Sequence, residues 1–205
     1  MAEVSTIYLS DGETGQAIEA ELRDAIEQAQ IDDWLHQWQP AMQLKLKELL
    51  QKNVPSAQWP QTRHWNWATK AAKIQDLLGF RGFCVVAQSV TQGLARVDLT
   101  KAARAPSQDR KPIVYIDYLE VAPWNRADFG APPRLKGIGT ALVAAAIALS
   151  DDEGFKGRIG LHSLPQAESF YVKSGMMDLG KDRHYQYLRY FEMDAEQARD
   201  FLKKE

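Results

Sequence analysis

The sequence predicts an α/β protein in which an antiparallel strand meander leads into alternating strands and helices. Strand-like runs at 82–89 and 92–99 flank a short turn, and the strongest apolar run, 113–122, follows a polar link at 100–111. Such runs, bounded by turn-forming residues, are typical of strands. A glycine turn then introduces the uncharged helix formers of 140–150, which predict a central helix.

The composition is that of a soluble globular protein. The 205 residues are 45% hydrophobic and 25% charged, enough for one domain with a large core. A net charge of -2 and a pI of about 6.1 disfavour a nucleic-acid or anionic-membrane partner. The N-terminus has no basic region followed by an apolar run, and no stretch approaches the roughly eighteen apolar residues of a membrane span. We therefore expect a cytoplasmic protein.

The N-terminal part combines a hairpin-like segment with helical spacing. Pro40 breaks the apolar pattern, so we expect the helix before it to stop there. In order, the patterns predict a strand at 4–9, a turn at 11–15, a return strand or helix start at 16–22, a helix at 21–37 and a second helix that ends near Asn53.

Three tryptophans lie in the proline-punctuated connection that follows. The rings of Trp59, Trp65 and Trp67 are too costly to leave in water, so they are expected to pack against other residues. They either seal one side of the core or line a binding pocket. A helix at 68–78 is expected to stop at Gly79.

The last third of the chain alternates between strands and helices. The single cysteine, Cys84, excludes an internal disulfide and is expected in a buried strand. After the central helix ends at 151–154, the patterns predict a strand at 157–162, a helix from Pro165 to Gly175, a strand at 185–193 and a helix at 195–204 capped by Asp194.

The segment Gly137-Ile-Gly139 has the chemistry of an anion site. Glycines let the backbone approach a ligand closely, and a helix that begins there points unsatisfied N–H groups and its positive dipole end at the ligand. Arg134 and Lys136 add charge at the rim. Taken alone, the same pattern also fits a plain glycine turn into an apolar helix.

Two motifs resemble the GNAT superfamily of acyl-CoA-dependent N-acyltransferases. Leu119-Glu-Val-Ala-Pro123 followed by Arg134-Leu-Lys-Gly-Ile-Gly139 is similar to the cofactor motif Arg/Gln-x-x-Gly-x-Gly/Ala, and Ala167-Glu-Ser-Phe-Tyr-Val-Lys-Ser-Gly-Met176 to a later one, Ala-x-x-Phe/Leu-Tyr-x-x-x-Gly-Phe. The resemblance implies a mixed, mostly antiparallel twisted sheet flanked by helices. It also implies one domain over 1–205, with a helical, Trp-rich acceptor side at 1–79, a cofactor-binding core at 80–193 and a closing helix at 194–205.

The resemblance also implies a donor site for acetyl-CoA. Main-chain groups at the end of the central strand would pair with the pantetheine arm, and main-chain groups of the glycine turn would cradle the pyrophosphate. The first set is Leu119 and Val121. The second set is Gly137, Ile138, Gly139 and Thr140, helped by Arg134, Leu135 and Lys136.

The acid and base of the transfer have three leading candidates and two further ones. By the resemblance, Tyr171 lies beside the thioester sulfur and protonates the departing thiolate. Asp117 and Glu120 are the candidate bases on the central strand, and His162 and Ser163 are further candidates that would act through water. No His, Asp, Glu or Cys spacing suggests a metal.

Two features depart from the family pattern. Residues 124–133 intervene where few residues are usual, and they are expected either to contact cofactor or substrate or to cover the sheet. Leu164 occupies a position that is often asparagine, so one polar contact to the cofactor is absent.

The sequence thus favours an N-acetyltransferase, of unknown subfamily, that moves an acetyl group from acetyl-CoA directly to a primary amine of a small molecule or protein. One alternative is a catalytically silent module that binds acyl-CoA or another protein. Another is a toxin that acetylates aminoacyl-tRNA, against which the acidic pI argues. The sequence is compatible with a homodimer and does not determine the oligomeric state.

Overall fold

A computed structural model describes residues 3–74 and 77–203, which form one nine-stranded sheet with helices around it. The strands, in sheet order β6-β1-β2-β3-β4-β5-β7-β9-β8, are β1 Val4–Asp11, β2 Ala17–Arg23, β3 Phe80–Ala87, β4 Val90–Ala102, β5 Pro112–Val121, β6 Leu135–Lys136, β7 Ile159–Ser163, β8 Met177–Asp182 and β9 Leu188–Met193. The helices are α1 Gln28–Asp33, α2 Gln39–Gln51, α3 Trp67–Ala72, α4 Ile138–Asp152, α5 Glu168–Lys173 and α6 Ala195–Leu202.

The sheet is mixed and mostly antiparallel, as predicted. β5 and β7 pair in parallel, whereas β1 with β2, β2 with β3, β7 with β9 and β8 with β9 pair antiparallel. The chain divides into two compact units that share β4, β5 and α4. The first unit comprises Met1–Leu77, Arg81–Ala95 and Leu119–Leu142; the second comprises Leu78–Phe80, Arg96–Tyr118 and Val143–Glu205. The predicted division into 1–79, 80–193 and 194–205 stays a prediction.

The N-terminal hairpin is confirmed. β1 and β2 pair without interruption from Val4 opposite Arg23 to Ser10 opposite Ala17. The turn is held by the Asp11 carboxylate, which accepts the N–H groups of Glu13 and Thr14 at 3.1 and 2.7 Å. This is the local side-chain bond that makes aspartate a turn former.

The predicted helix at 21–37 was wrong at its start, and Pro40 does not interrupt the helix. Residues 21–23 instead pair with β3, because a strand bonded on both edges outweighs weak helical spacing. A π-helical turn, Trp34–Trp38, joins α1 to α2, and within it the Gln39 N–H donates to the Trp34 carbonyl. Pro40 follows in the first turn of α2, and the helical backbone continues from the π-helical turn through it.

The tryptophan-rich connection seals the core through one residue. Trp67 is fully buried and begins α3, which is capped by the Asn66 side chain. Trp59 and Trp65 are half-buried. The predicted helix at 68–78 is shorter than expected, because α3 ends at Ala72. Residues 75–76 of that prediction lie outside the described chain.

Strand β8 and the turn after it were missed in the second unit. The strand predicted at 185–193 begins only at Leu188, because Gln186 and Tyr187 have left-handed backbone angles, with φ of 53° and 59°. The polar link predicted at 100–111 is shorter, because β4 extends to Ala102. Cys84 is buried in β3, as expected.

Helix α6 begins with the predicted cap. The Asp194 carboxylate accepts the N–H groups of Glu196 and Gln197, each at 2.9 Å, and the Gln197 side chain accepts the Asp194 N–H at 3.0 Å. This reciprocal arrangement satisfies N–H groups that the first turn leaves without partners.

Replacing Asp194 by alanine should lower the free energy of unfolding by about 1 kcal/mol, because those N–H groups lose their acceptor. Asp194→Asn keeps an acceptor oxygen and should stay close to the wild type. Urea denaturation of both variants measures the difference, and equal stability of Asp194→Ala and wild type would contradict a stabilising role for the cap.

Candidate active site

The glycine turn joins the shortest strand of the sheet to the central helix. β6 has only two residues, which pair with Ser10 and Asp11 of β1. Gly137 follows with φ of +96°, a left-handed conformation that favours glycine, and α4 begins at Ile138. The Gly137 carbonyl accepts the Ala141 N–H at 2.8 Å, so the N–H groups at the start of α4 lack intrahelical acceptors. The turn therefore has the backbone of an anion site.

The residues before Gly137 are tied to the protein. The Leu135 N–H donates to Asn125 Oδ1 at 2.8 Å, and the Arg134 N–H donates to the Trp124 carbonyl at 3.2 Å. Lys136 Nζ donates to the Gly12 carbonyl at 3.0 Å. The main-chain N–H groups of Arg134 and Leu135 therefore already donate within the protein. The main-chain N–H groups that could bind an anion are those of residues 137–140.

Gly12 lets the N-terminal hairpin approach the loop before β6. Its N–H donates to the Arg134 carbonyl at 2.7 Å, and a Cβ at this position would lie 1.6 Å from the Pro133 carbonyl oxygen. No side chain fits at that distance. The loop and the hairpin therefore meet backbone to backbone, and this contact sets the position of β6.

A buried glutamine supports the inserted 124–133 loop. Gln92 Oε1 accepts both Trp124 Nε1 at 2.9 Å and Asn125 Nδ2 at 2.8 Å, while Gln92 Nε2 donates to the Ala87 carbonyl at 3.2 Å. The Arg134 guanidinium lies 5.6 Å from the centre of the Trp124 ring. Asn125 thereby links β4 to β6. Sequence reasoning missed this support, because its members lie 33 residues apart.

Glu120 is buried in a second polar cluster of the first unit. Trp67 Nε1 donates to its Oε2 at 2.6 Å, and Arg126 Nη1 lies 3.2 Å from Oε1. Arg126 also donates to Thr62 at 2.7 Å and pairs with Asp128. Burial raises the pKa of Glu120 above its ordinary value. Donors occupy both oxygens, and the carboxylate anchors the loop through Arg126.

The direction of the main-chain N–H groups changes between Val114 in β5 and Ala122 just after it. The Val114 N–H donates to Arg158, which precedes β7, at 3.0 Å, whereas the Ala122 N–H donates to Gln92 of β4 at 2.9 Å. These residues are an even number apart, so regular alternation would point both N–H groups to the same side. The regular alternation is therefore broken between these two residues, as a β-bulge would break it.

The end of β5 therefore presents main chain beyond its partner strand. The last pair of β5 with β7 is Ile116 opposite Leu161. Because the Ala122 N–H points to β4, the neighbouring Val121 main chain points to the other side. Leu119 and Val121 are both half-buried and lie past that last pair. This is the place expected for an added strand-like ligand, and their cofactor role stays a prediction.

The other two predicted catalytic residues lie in the second unit. Asp117 pairs with Arg96, whose Nε donates at 2.9 Å, and its side chain keeps a quarter of its surface exposed. Tyr171 lies on α5 with its ring centre 5.1 Å from that of Phe170 and 5.9 Å from that of Phe191. Burial raises the pKa of Tyr171 above its ordinary value, so the hydroxyl is protonated at neutral pH and can act only as an acid.

A hydrogen-bonded chain through His162 was missed by sequence reasoning. Its Nδ1 lies 2.7 Å from the Tyr115 hydroxyl and its Nε2 lies 3.0 Å from Asp182, while the Tyr185 ring stacks on it at 3.9 Å. Hydrogen bonding to Arg104 lowers the pKa of Asp182, so its carboxylate is an acceptor. Nε2 therefore carries the proton of neutral His162, and the Tyr115 hydroxyl donates to Nδ1.

The structural comparisons identify the fold. The chain resembles PaiA N-acetyltransferase from Thermoplasma acidophilum in complex with coenzyme A, with a TM-score of 0.54 and 13% identity over 85% of this chain and 98% of that one. It also resembles a GNAT-family acetyltransferase from Listeria monocytogenes, with a TM-score of 0.53 and 14% identity over 92% and 99%. A third similar structure is RimJ from Mycobacterium smegmatis in complex with CoA-disulfide. It has a TM-score of 0.51 and 14% identity, over 98% of this chain and 94% of that one.

The chain thus has the fold of the GNAT acetyltransferases, which confirms the fold that the two motifs implied. No family model and no curated protein sequence matches it. Within residues 3–74 and 77–203, no group of three or more His, Cys, Asp or Glu is placed to hold a metal ion. No helix in the same residues is long and apolar enough to span a membrane.

The stability of the second unit should depend on pH through His162. Burial lowers the pKa of His162, so the unfolded chain binds a proton there more readily than the folded chain. The free energy of unfolding should therefore fall as the pH drops through the unfolded value of about 6.5, by up to about 1.4 kcal/mol per pH unit. His162→Gln should lack this contribution in urea denaturation between about pH 5 and pH 8.

The exposed His184 offers a matched control. His184→Gln should keep the wild-type slope of unfolding free energy against pH. If His162→Gln also keeps that slope, the buried imidazole is not its source.

Proposed function

We propose that the protein transfers an acetyl group from acetyl-CoA to a primary amine of a small molecule or a protein. The observation that carries the proposal is the glycine turn at the start of α4, with N–H groups free of intrahelical acceptors, in a chain with the GNAT fold. A pyrophosphate fits such a turn because both the N–H groups and the helix dipole favour negative charge.

The end of β5 supports the same donor. Main-chain groups of Leu119 and Val121 lie past the last pair with β7, so a pantetheine arm with its two amides can bond to them as an added strand would. The fold neighbours from Thermoplasma acidophilum and Mycobacterium smegmatis were solved with coenzyme A or its disulfide, which is consistent with this donor.

The reaction needs a neutral amine and a protonated leaving group. An alkyl amine with a pKa near 10.4 is neutral in only about one molecule in 10³ to 10⁴ at pH 7, which costs roughly 4 to 5 kcal/mol. The amine nitrogen attacks the thioester carbon, the carbon–sulfur bond breaks, and the sulfur takes the proton of Tyr171. Asp117 is the preferred base for the amine proton, because a quarter of its side-chain surface is exposed whereas Glu120 is buried.

A negative charge in the turn should weaken donor binding. Thr140→Glu places a carboxylate in the first turn of α4, where it stabilises the helix but repels the pyrophosphate. Calorimetry should show acetyl-CoA binding weaker by roughly 30-fold, equivalent to about 2 kcal/mol. Thr140→Gln has the same size without the charge and should bind like the wild type. Equal affinities for both variants would refute the cofactor site.

Removing the Tyr171 hydroxyl should slow turnover without weakening donor binding. Tyr171→Phe keeps the ring between Phe170 and Phe191, so packing is retained. Loss of a general acid typically costs roughly 10² to 10⁴ in rate. Wild-type kcat in this variant, at unchanged acetyl-CoA affinity, would exclude Tyr171 as the acid.

A screen of amines and peptides by mass spectrometry identifies the acceptor by the mass of one added acetyl group. If acetyl-CoA binds but no amine in a broad panel releases free thiol, the chain is a silent acyl-CoA-binding module. Growth arrest on expression, with acetylated aminoacyl-tRNA, would instead identify a toxin.

A further inference from the structure

The two edges of the nine-stranded sheet differ in how they are protected. Edge strand β8 is short, carries Asp178, Lys181 and Asp182, and has a register break between Asp178 and Lys181. Charges and bulges of this kind keep an edge from pairing with another chain. Residues 4–10 of β1 have neither: their pairing with β2 is continuous, and they contain no charge and no proline.

Alternation along β1 shows which main-chain groups face outward. The Asp11 N–H donates to Gln16 and the Glu3 carbonyl accepts the Asp24 N–H, so odd-numbered residues bond on the β2 side. The even-numbered Val4, Thr6 and Tyr8 therefore point their N–H and carbonyl groups away from β2. Within the described residues, β6 covers this edge only at Ser10 and Asp11.

The side chains of the same three residues are also open to solvent. Val4 is 48% exposed and Tyr8 is 69% exposed, and Thr6 between them is exposed as well. β-branched and aromatic residues of this type favour strand pairing. An uncharged, exposed and unbroken edge of this length is a template for one more strand.

We propose that β1 of a second copy pairs antiparallel with this edge about a two-fold axis through Thr6. In that register each Thr6 faces the other, and Val4 of one copy faces Tyr8 of its partner. All three outward residues then exchange N–H and carbonyl hydrogen bonds with their opposites. The side-chain pairs are one Thr–Thr pair and two aromatic–β-branched pairs, which are favourable cross-strand combinations.

Charge and symmetry favour a second copy over an unrelated strand. The segment is complementary to itself: in the antiparallel register about Thr6, each of the three outward-facing residues meets one outward-facing residue of the second copy. The paired segments bring no like charges opposite each other. The inference is independent of the proposed acetyl transfer.

Opposite charges at position 6 test the axis directly. Sedimentation velocity of the wild type should show a species of twice the 23.2 kDa chain mass. Thr6→Lys and Thr6→Glu should each weaken self-association by at least roughly tenfold, because like charges meet on the axis. An equimolar mixture of the two variants should restore the dimer, whereas Thr6→Val should dimerise like the wild type.

Folding is checked separately for each variant by its urea denaturation. Thr6→Pro is a second probe, because it removes only the N–H that faces away from β2, and it should also be monomeric. A wild type that is monomeric at all concentrations overturns the proposal. So does a dimer that persists unchanged in Thr6→Lys and Thr6→Pro, or a charged mixture that stays monomeric.

Discussion

The Asn125 carboxamide is the contact on which the geometry of the glycine turn depends. It donates to Gln92 of β4 and accepts the Leu135 N–H, so one side chain that is 8% exposed fixes the inserted loop and β6 together. The orientation of the Gln92 amide is fixed, because its nitrogen donates to the Ala87 carbonyl. Its oxygen therefore faces Asn125 and accepts the Asn125 amide. A buried polar relay in which every group has a partner specifies one conformation.

The inserted loop is thus a support with two buried attachments. Asn125 joins it to β4, and Arg126 joins it to Glu120, which also accepts the Trp67 indole N–H. The sequence offered two roles for residues 124–133, covering the sheet or contacting a ligand. The buried residues of the loop have a third role, which is to support the glycine turn. The buried residues of the loop hold the glycine turn before α4 in place, and this role does not depend on what the exposed residues of the loop contact.

A similar arrangement shapes the second unit. Glu192 is fully buried, and its Oε2 accepts the Ala105 N–H at 3.0 Å and the Gln108 side chain at 2.9 Å. This carboxylate holds the link between β4 and β5 against β9. Burial of an anion is tolerated because several donors replace its water shell.

Features with a local signal were predicted correctly from the sequence, and features built by distant partners were not. The Asp11 turn, the Asp194 cap and the glycine turn before α4 each depend on residues within a few positions of one another. The π turn before Pro40 has no sequence signature of its own. The bonds of Trp67 to Glu120 and of Asn125 to Gln92 join residues 53 and 33 positions apart, which no periodicity reveals.

Gly12 has a consequence for how this sequence tolerates change. Because a Cβ there would overlap the Pro133 carbonyl oxygen, a saturation library at position 12 should recover glycine alone wherever the α4 turn is under selection. The first hairpin of the chain is far from residues 134–140 in sequence. Even so, the packing of the loop before these residues restricts which residue the hairpin can carry at position 12. Engineers who shorten or replace the N-terminal hairpin would change the loop that it touches.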